Sequence, residues 1–403
     1  MADKVRFGII GSAGLIGNYH ANILRKGEGP YELAALCDID EERVRQQSAA
    51  WGLPAFTTVE EFLAKAEIDA VIVGTPTPLH AEHGIAVVQS KRHLIAEKPI
   101  AHAPGAARKL VAAVKRSRKM AVMHYQQRGN PVFIKAKAMI RAGELGRLLF
   151  IRATGSYYKS DYYYTLGGWR GLWEKEGGAC CINQAPHDID LLCWLAAESA
   201  PAEMSARWTS LFHPTIQCED SASAFGVFPN GVEFTLQVSV ATHGDESRFE
   251  IFGSAGALTI TGGRFARYIR YEKDLIDFAR SFAGPSPYGT PKTEEQPLPE
   301  ADAFDPAATH NRFAEAILKK DPSLLLCPAE QGLWSLEVIN GVYLSHYLGR
   351  KIKFPLSASK YDKVLQTLIA KTPMPQRPTQ KAVTGVSATT NEKAAGARLT
   401  QGA

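Results

Sequence analysis

Three stretches of the chain hold residue types whose spacing suits chemistry. In GIIGSAGLIGNYH, Gly8 to His20, glycines stand at 8, 11, 14 and 17, directly after the apolar run that opens at Val5. A dinucleotide site needs a strand, a glycine turn that lets backbone N–H groups approach a pyrophosphate, a helix N-terminus with partial positive charge, and an acid ending the next strand. All four occur in order, and Asp38, closing ELAALCD, is the acid. The expected cofactor contacts in the loop are Gly11, Ser12, Ala13, Gly14, Leu15 and Ile16. A carboxylate at Asp38 accepts hydrogen bonds from an adenosine ribose and repels a 2′-phosphate, which predicts NAD in preference to NADP. Gly11, Gly14 and Gly17 are three apart, unlike the usual GxGxxG spacing. Either the turn is a residue longer, or Ser12 replaces a glycine and donates its hydroxyl to a phosphate.

The second stretch, IAEKPIA, Ile95 to Ala101, follows a strand at the sheet edge where ligands bind in open parallel sheets. Pro99 disfavours helical geometry at Lys98 and holds it extended. A lysine fixed in this way can stabilise the charge that builds on an alcohol oxygen as the proton leaves, although a lysine before a proline is ordinarily a loop residue. The third stretch, GGACCINQAPHDIDLLCWLA, places Asn183 and His187 four apart, on one face if the segment is helical. Histidine, with its ordinary pKa of about 6.5, suits proton movement near neutrality, and the rival reading is a structural histidine. Pro186 predicts an irregular helix start beside it.

These groups need a scaffold. From Val5 to His124 the apolar runs VRFGII, ELAALC, AVIVGT, HLIAEK and MAVMH alternate with helical segments such as EERVRQQSAAW and PGAARKLVAAVKRS, with Pro104 as a first helical residue. Alternation of this kind predicts a doubly wound parallel sheet. A helix over PVFIKAKAMIRAGELG then carries the chain into β-rich runs, LLFIRATGSYY, EMSARWTSLF, SASAFGVF, VEFTLQVSVA and FEIFGSAGALTI, which predict an antiparallel sheet with one face covered. INQAPHDIDLLCWLAA, HNRFAEAILKK and AEQGLWSLEVINGVYLSHYL read as helices, and the Pro-rich residues 284–308 as a long loop. The fold class is therefore α/β: a Rossmann-type domain over residues 1–126, an α+β domain with a large, mostly antiparallel open sheet over 127–371, and a disordered tail over 372–403.

At 403 residues the chain is long enough for two or three domains of about 150 residues. The net charge of +5 is concentrated at the end, where Arg377, Lys381, Lys393 and Arg398 face one acid, Glu392. The rest is nearly neutral, which argues against nucleic acid or an anionic membrane as a partner. Six cysteines show neither CxxC pairing nor zinc-type spacing, so neither a metal site nor a disulfide framework is expected. No stretch approaches about 18 uninterrupted apolar residues, and the first residues run straight into a strand. A soluble, cytoplasmic protein with reduced thiols is expected.

GIIGSAGLIGNYH, Asp38, AEKP, QQRGNP (Gln126 to Pro131) and GGACCINQAPHDID together resemble the glucose-fructose oxidoreductase/inositol dehydrogenase family (Gfo/Idh/MocA), over residues 4 to 356. The resemblance implies a catalytic pair at Lys98 and His187, a substrate contact at Arg128, and assembly into a homodimer or homotetramer through the open sheet. It also implies that Thr75, Pro76, His80, Glu97, Lys98 and Gln127 line the cofactor. The acid that the family usually carries four residues before the histidine is replaced by Asn183, which can orient a hydroxyl or His187 but adds no charge. Tyr157 to Gly178, with five tyrosines, two tryptophans and Arg170, fits either a carbohydrate cleft or a subunit contact. Trp169 and Arg170, nearest the histidine motif, are the expected substrate contacts, together with Lys98, Asn183 and His187.

The expected activity is NAD-dependent hydride transfer from a secondary hydroxyl of a sugar, glycoside or cyclitol. Two alternatives remain open: a redox-neutral enzyme that cleaves or isomerises a glycoside by transient oxidation, and a non-catalytic sugar or cofactor sensor.

Overall fold

The computed structural model describes residues 4–377 apart from positions 245, 285 and 376. Six strands, β1 (Val5–Ile10), β2 (Tyr31–Cys37), β3 (Ala55–Phe56), β4 (Ala70–Val73), β5 (His93–Ala96) and β6 (Ala121–Met123), form a parallel sheet in the order β3-β2-β1-β4-β5-β6. The order reverses between β1 and β4, which opens a crevice at the strands' carboxyl ends, where Gly11, Thr75 and Lys98 stand. All four residues of β4 are buried, as strands covered by helices on both faces must be. The helix Pro104–Ser117 begins at its proline, and so does Pro131–Arg141.

A second sheet of nine strands contains β7 (Leu148–Ser156), β8 (Glu203–Thr209), β9 (Ser221–Val227), β10 (Glu233–Ser239), β11 (Arg248–Gly253), β12 (Gly256–Thr261), β13 (Arg264–Tyr271), β14 (Thr293–Glu295) and β15 (Ile352–Lys353). Only β7 and β10 pair in parallel; the other pairs are antiparallel. The helices Pro186–Ala196 and Gly332–Leu348 cover one face through a core that includes Ile189, Leu192, Val338 and Val342. The other face exposes Arg152, Arg207, Ser223, Phe225 and Gln237.

Several local expectations change. FEIFGSAGALTI is two strands of a hairpin, β11 and β12, turning at Ser254 and Ala255. β13 was hidden because arginines at 264, 267 and 270 interrupt its apolar pattern, and the Pro-rich loop contributes the edge strand β14. The helix Ala308–Lys319 returns to the first sheet, where Phe313 and Ala314 pack with Val5, Phe7 and Ile9. The segment expected as a free tail from 372 is docked at its start. Gln217 donates to the carbonyls of Thr372 and Pro373 at 3.0 and 3.3 Å, and Arg377 donates to the carbonyls of Thr215 and Arg170. Residues 378–403 of that expected tail lie outside the described residues. All six cysteines are free and buried. No helix among the described residues is long and apolar enough to cross a membrane.

Candidate active site

The glycine loop closes β1 tightly. Gly11 has φ +85°, and a Cβ there would stand 2.9 Å from the Gly74 backbone. A Cβ on Gly17 would stand 2.1 Å from the Gly11 carbonyl oxygen, so the helix Leu15–Lys26 can lie against the loop only with glycine at 17. Gly14 is the N-cap and supplies no side-chain cap, so the first-turn N–H groups are left for an anion. The three-apart spacing is thereby explained: one glycine for the turn, one at the cap and one for helix packing. Leu15 and Ile16, 62% and 39% exposed, flank that open end.

Asp38 Oδ2 accepts the Ala13 N–H at 2.8 Å, and Oδ1 accepts the Asp40 N–H at 3.0 Å. A carboxylate retains further lone pairs for a ribose diol. The loop, the uncapped helix end and Asp38 therefore fit a dinucleotide. Ser12 is a correction: it is 0% exposed, and its hydroxyl donates to Gln47 at 2.9 Å, turned away from any phosphate.

Lys98 follows β5, and its Nζ donates to the Asn183 carbonyl at 2.7 Å. Asn183 lies in a π-helical turn, Cys180–Gln184, which precedes the α-helix starting at Pro186. The expected irregular start is thus a wide turn that aims its carbonyls and the His187 ring at the end of the first sheet. Lys98 and His187 are both half-buried. Burial and then the Lys98 charge push the His187 imidazole down to about 3, so it is neutral at ordinary pH. Its Nδ1 is buried with no partner among the described residues, and its ring meets Tyr125 edge-on at 5.7 Å. Burial also lowers Lys98, opposed by Glu97 and Glu176.

Glu176 escaped the sequence reading. It is buried, accepts the Gly171 N–H and the Asn183 side-chain amide, and is pushed up to about 7, chiefly by burial. Its carboxyl stands where the missing acid at 183 would be compensated, and the one sequence signal is an acid directly before Gly177-Gly178. Tyr163 joins this group: its hydroxyl donates to Asn183 Oδ1 at 3.3 Å and accepts from Gln184 at 3.0 Å. The Arg170 guanidinium lies 4.8 Å from the Tyr163 ring and 4.5 Å from the Trp169 ring. Lys98, Asn183, His187, Trp169 and Arg170 thus belong to one connected constellation.

Other expected contacts are placed elsewhere. Arg128 is 1% exposed, paired with Asp190 through two bonds of 2.7 Å, bonded to Gln331, and held 5.4 Å from each of the Trp194 and Trp334 rings. With its charge neutralised and its donors turned inward, it is a buried structural cation and does not reach a substrate. Glu97 is also turned inward, accepting from His124 at 2.6 Å and His20 at 2.9 Å. Both ring nitrogens of the buried His80 are taken by main-chain oxygens, of Pro99 and Thr75, each at 2.7 Å. His80 therefore pins the Lys98 loop to the β4 loop, and it is Thr75 and the exposed Pro76 that edge the crevice. Gln127, half-buried, follows β6 in a 3-10 turn.

Residues 5–125 match the oxidoreductase family described as having an NAD-binding Rossmann fold, and residues 133–259 match the GFO/IDH/MocA C-terminal domain. The 1,5-anhydro-D-fructose reductase of Ensifer adhaerens is 26% identical over 63% of this chain and 74% of its own. An inositol 2-dehydrogenase of Rhizobium meliloti is 27% identical over 64% of this chain and 76% of its own. The WlbA dehydrogenase of Bordetella pertussis, solved with NADH and UDP-GlcNAcA, superposes with a TM-score of 0.74 at 26% identity, covering 88% of this chain and all of its own. With both domains matched and the crevice built for a dinucleotide, this chain belongs to the Gfo/Idh/MocA family of NAD-binding oxidoreductases.

Proposed function

We propose that the protein oxidises a secondary hydroxyl of a sugar, glycoside or cyclitol. The observation that carries this reading is the meeting of Lys98, from the first sheet, with Asn183 and His187, from the turn and helix of the second domain. The loop Gly11 to Ile16, Asp38, Thr75, Pro76 and Gln127 would hold NAD, which would supply the acceptor for the hydride of the carbinol carbon. The Lys98 ammonium stabilises the oxygen as negative charge builds on it. His187, held neutral, has a lone pair for the hydroxyl proton, and its low basicity makes that transfer depend on the alkoxide being steadied first. Asn183, fixed by Glu176 and Tyr163, orients a neighbouring hydroxyl. Trp169, Arg170 and Tyr163 offer the aromatic faces and donors that a polyol ring needs. The names of the relatives, a sugar reductase and a cyclitol dehydrogenase, support this substrate class.

We further propose assembly into a homodimer or homotetramer through the open face of the second sheet, where exposed Phe225 lies among polar neighbours.

The test is a panel of inositols, hexoses and glycosides incubated with NAD or NADP while the reduced-nicotinamide absorbance is followed. Accumulating NADH with one or a few of them supports the dehydrogenase. Product without NADH identifies the redox-neutral cycle, and no turnover with cofactor bound identifies a sensor.

A further inference from the structure

Behind the crevice, four elements bring three histidines and a glutamate together. His20 comes from the helix Leu15–Lys26, Glu97 follows β5, His124 follows β6, and His310 comes from the returning helix Ala308–Lys319. All four side chains are buried. The ring centroids are 4.6 Å apart for His20 and His124, 5.0 Å for His20 and His310, and 5.6 Å for His124 and His310. Each imidazole places one nitrogen within 4.8 Å of the other two.

The hydrogen bonds fix the protons. Glu97 Oε1 can only accept, so His20 donates to it through Nε2–H at 2.9 Å and His124 through Nδ1–H at 2.6 Å. His20 Nδ1 is then a bare lone pair, which His310 Nε2–H meets at 2.8 Å. That assignment leaves lone pairs on His124 Nε2 and His310 Nδ1, and both atoms are buried with no partner among the described residues. Unmet buried acceptors are costly, and a buried polar group without a partner calls for an occupant.

We propose that His20, His124 and His310 form a binding site for a divalent zinc-class ion, with Glu97 as the carboxylate that orients two of the ligand rings. Neutral imidazoles suit a borderline ion such as zinc, and the lack of an oxygen-rich shell disfavours magnesium and calcium. A carboxylate that accepts the second N–H of a metal-bound histidine fixes its tautomer and strengthens the ligand. Here one carboxylate does this for two rings, so His20 and His124 keep their protons when the ion binds. The ion takes the His20 Nδ1 lone pair that His310 now meets; the His310 proton passes from Nε2 to the unpartnered Nδ1, and Nε2 supplies the third nitrogen. Because Glu97 precedes Lys98, the ion would lock the returning helix to the loop that carries the lysine.

The untagged protein is stripped with a chelator and titrated with Co²⁺ and then Zn²⁺, following visible d–d absorption and the melting temperature. Roughly one Co²⁺ per chain with a nitrogen-ligand spectrum, displaced by Zn²⁺ and accompanied by a higher melting temperature, is expected. His124→Gln and His310→Gln should each abolish the spectrum. No spectrum and no melting shift in the wild-type protein would overturn the site and leave a hydrogen-bond network alone. An unchanged spectrum in the His124→Gln/His310→Gln double variant would overturn it by placing the metal elsewhere.

Discussion

Lys98 Nζ donates to the main-chain oxygen of Asn183 at 2.7 Å, closing a span of 85 residues between the first sheet and the turn that carries the histidine motif. An ammonium has three donors, and this bond uses one to aim the others. The same approach puts the Lys98 charge close enough to depress His187. The two groups are therefore one electrostatic unit, and a change at either alters the proton affinity of the other.

Glu176 is the acid this unit lacks at 183. With its pKa pushed up to about 7, it ionises across the range where the enzyme would be assayed. The ionised carboxylate accepts both the Gly171 N–H and the Asn183 amide, whereas the acid form loses part of that acceptor capacity. Activity should rise through that pH range in the wild-type protein. Glu176→Gln should flatten the rise and lower kcat roughly tenfold, the value of one hydrogen bond. A profile unchanged by the substitution would remove Glu176 from the site.

Cofactor choice rests on Asp38, which grips Ala13 N–H while Arg43 donates to the Ala13 carbonyl. Asp38→Ser removes the charge that repels a 2′-phosphate and leaves Arg43 in place. The ratio of kcat/KM for NADP over NAD should increase by about tenfold or more, since like-charge contact costs several kcal/mol. A ratio that stays fixed would show that Asp38 acts only on the loop.

The sequence carried the first sheet almost whole, because a parallel sheet buried on both faces is written as short apolar runs between helices. It also carried Lys98 and His187, which stand at punctuated positions beside prolines. What it hid depends on contacts distant along the chain. Arg128 became structural because Asp190, 62 residues away, neutralises it. Ser12 turned inward because Gln47 offers an acceptor. His20, His124 and His310 share no motif spacing, so an expectation drawn from cysteine patterns could not reach them. The helix bearing Phe313 gives no local sign that it returns to β1.

The buried Arg128–Asp190 pair separates a structural role from a substrate contact. Asp190→Ala leaves a guanidinium unpaired among Trp194 and Trp334, and unfolding by denaturant should show a loss of about 3–5 kcal/mol. Arg128→Met should also destabilise. An Arg128→Met protein of normal stability with a raised KM would return Arg128 to the cleft.

His187 should mark the acid stability of the fold. Its folded value of about 3 lies below the ordinary 6.5, so on acidification the unfolded chain binds the proton first. The stability it contributes is complete above 6.5 and declines as pH falls toward 3, by up to about 1.4 kcal/mol per pH unit. His187→Asn should therefore lose less unfolding free energy than the wild-type protein between about pH 7 and about pH 5. Equal losses would mean that the imidazole is freely solvated.

The most direct test of the paired lysine and histidine is single-turnover hydride transfer, with NADH binding measured on the same samples. The proteins compared are the wild type, Lys98→Met, His187→Asn and the double variant, on whichever substrate the panel identifies. Each single substitution should slow the step by about 10²–10⁴-fold with binding intact, and the double variant should be little worse than either, as for groups that act as a unit. Full-rate transfer in either single variant would contradict the account.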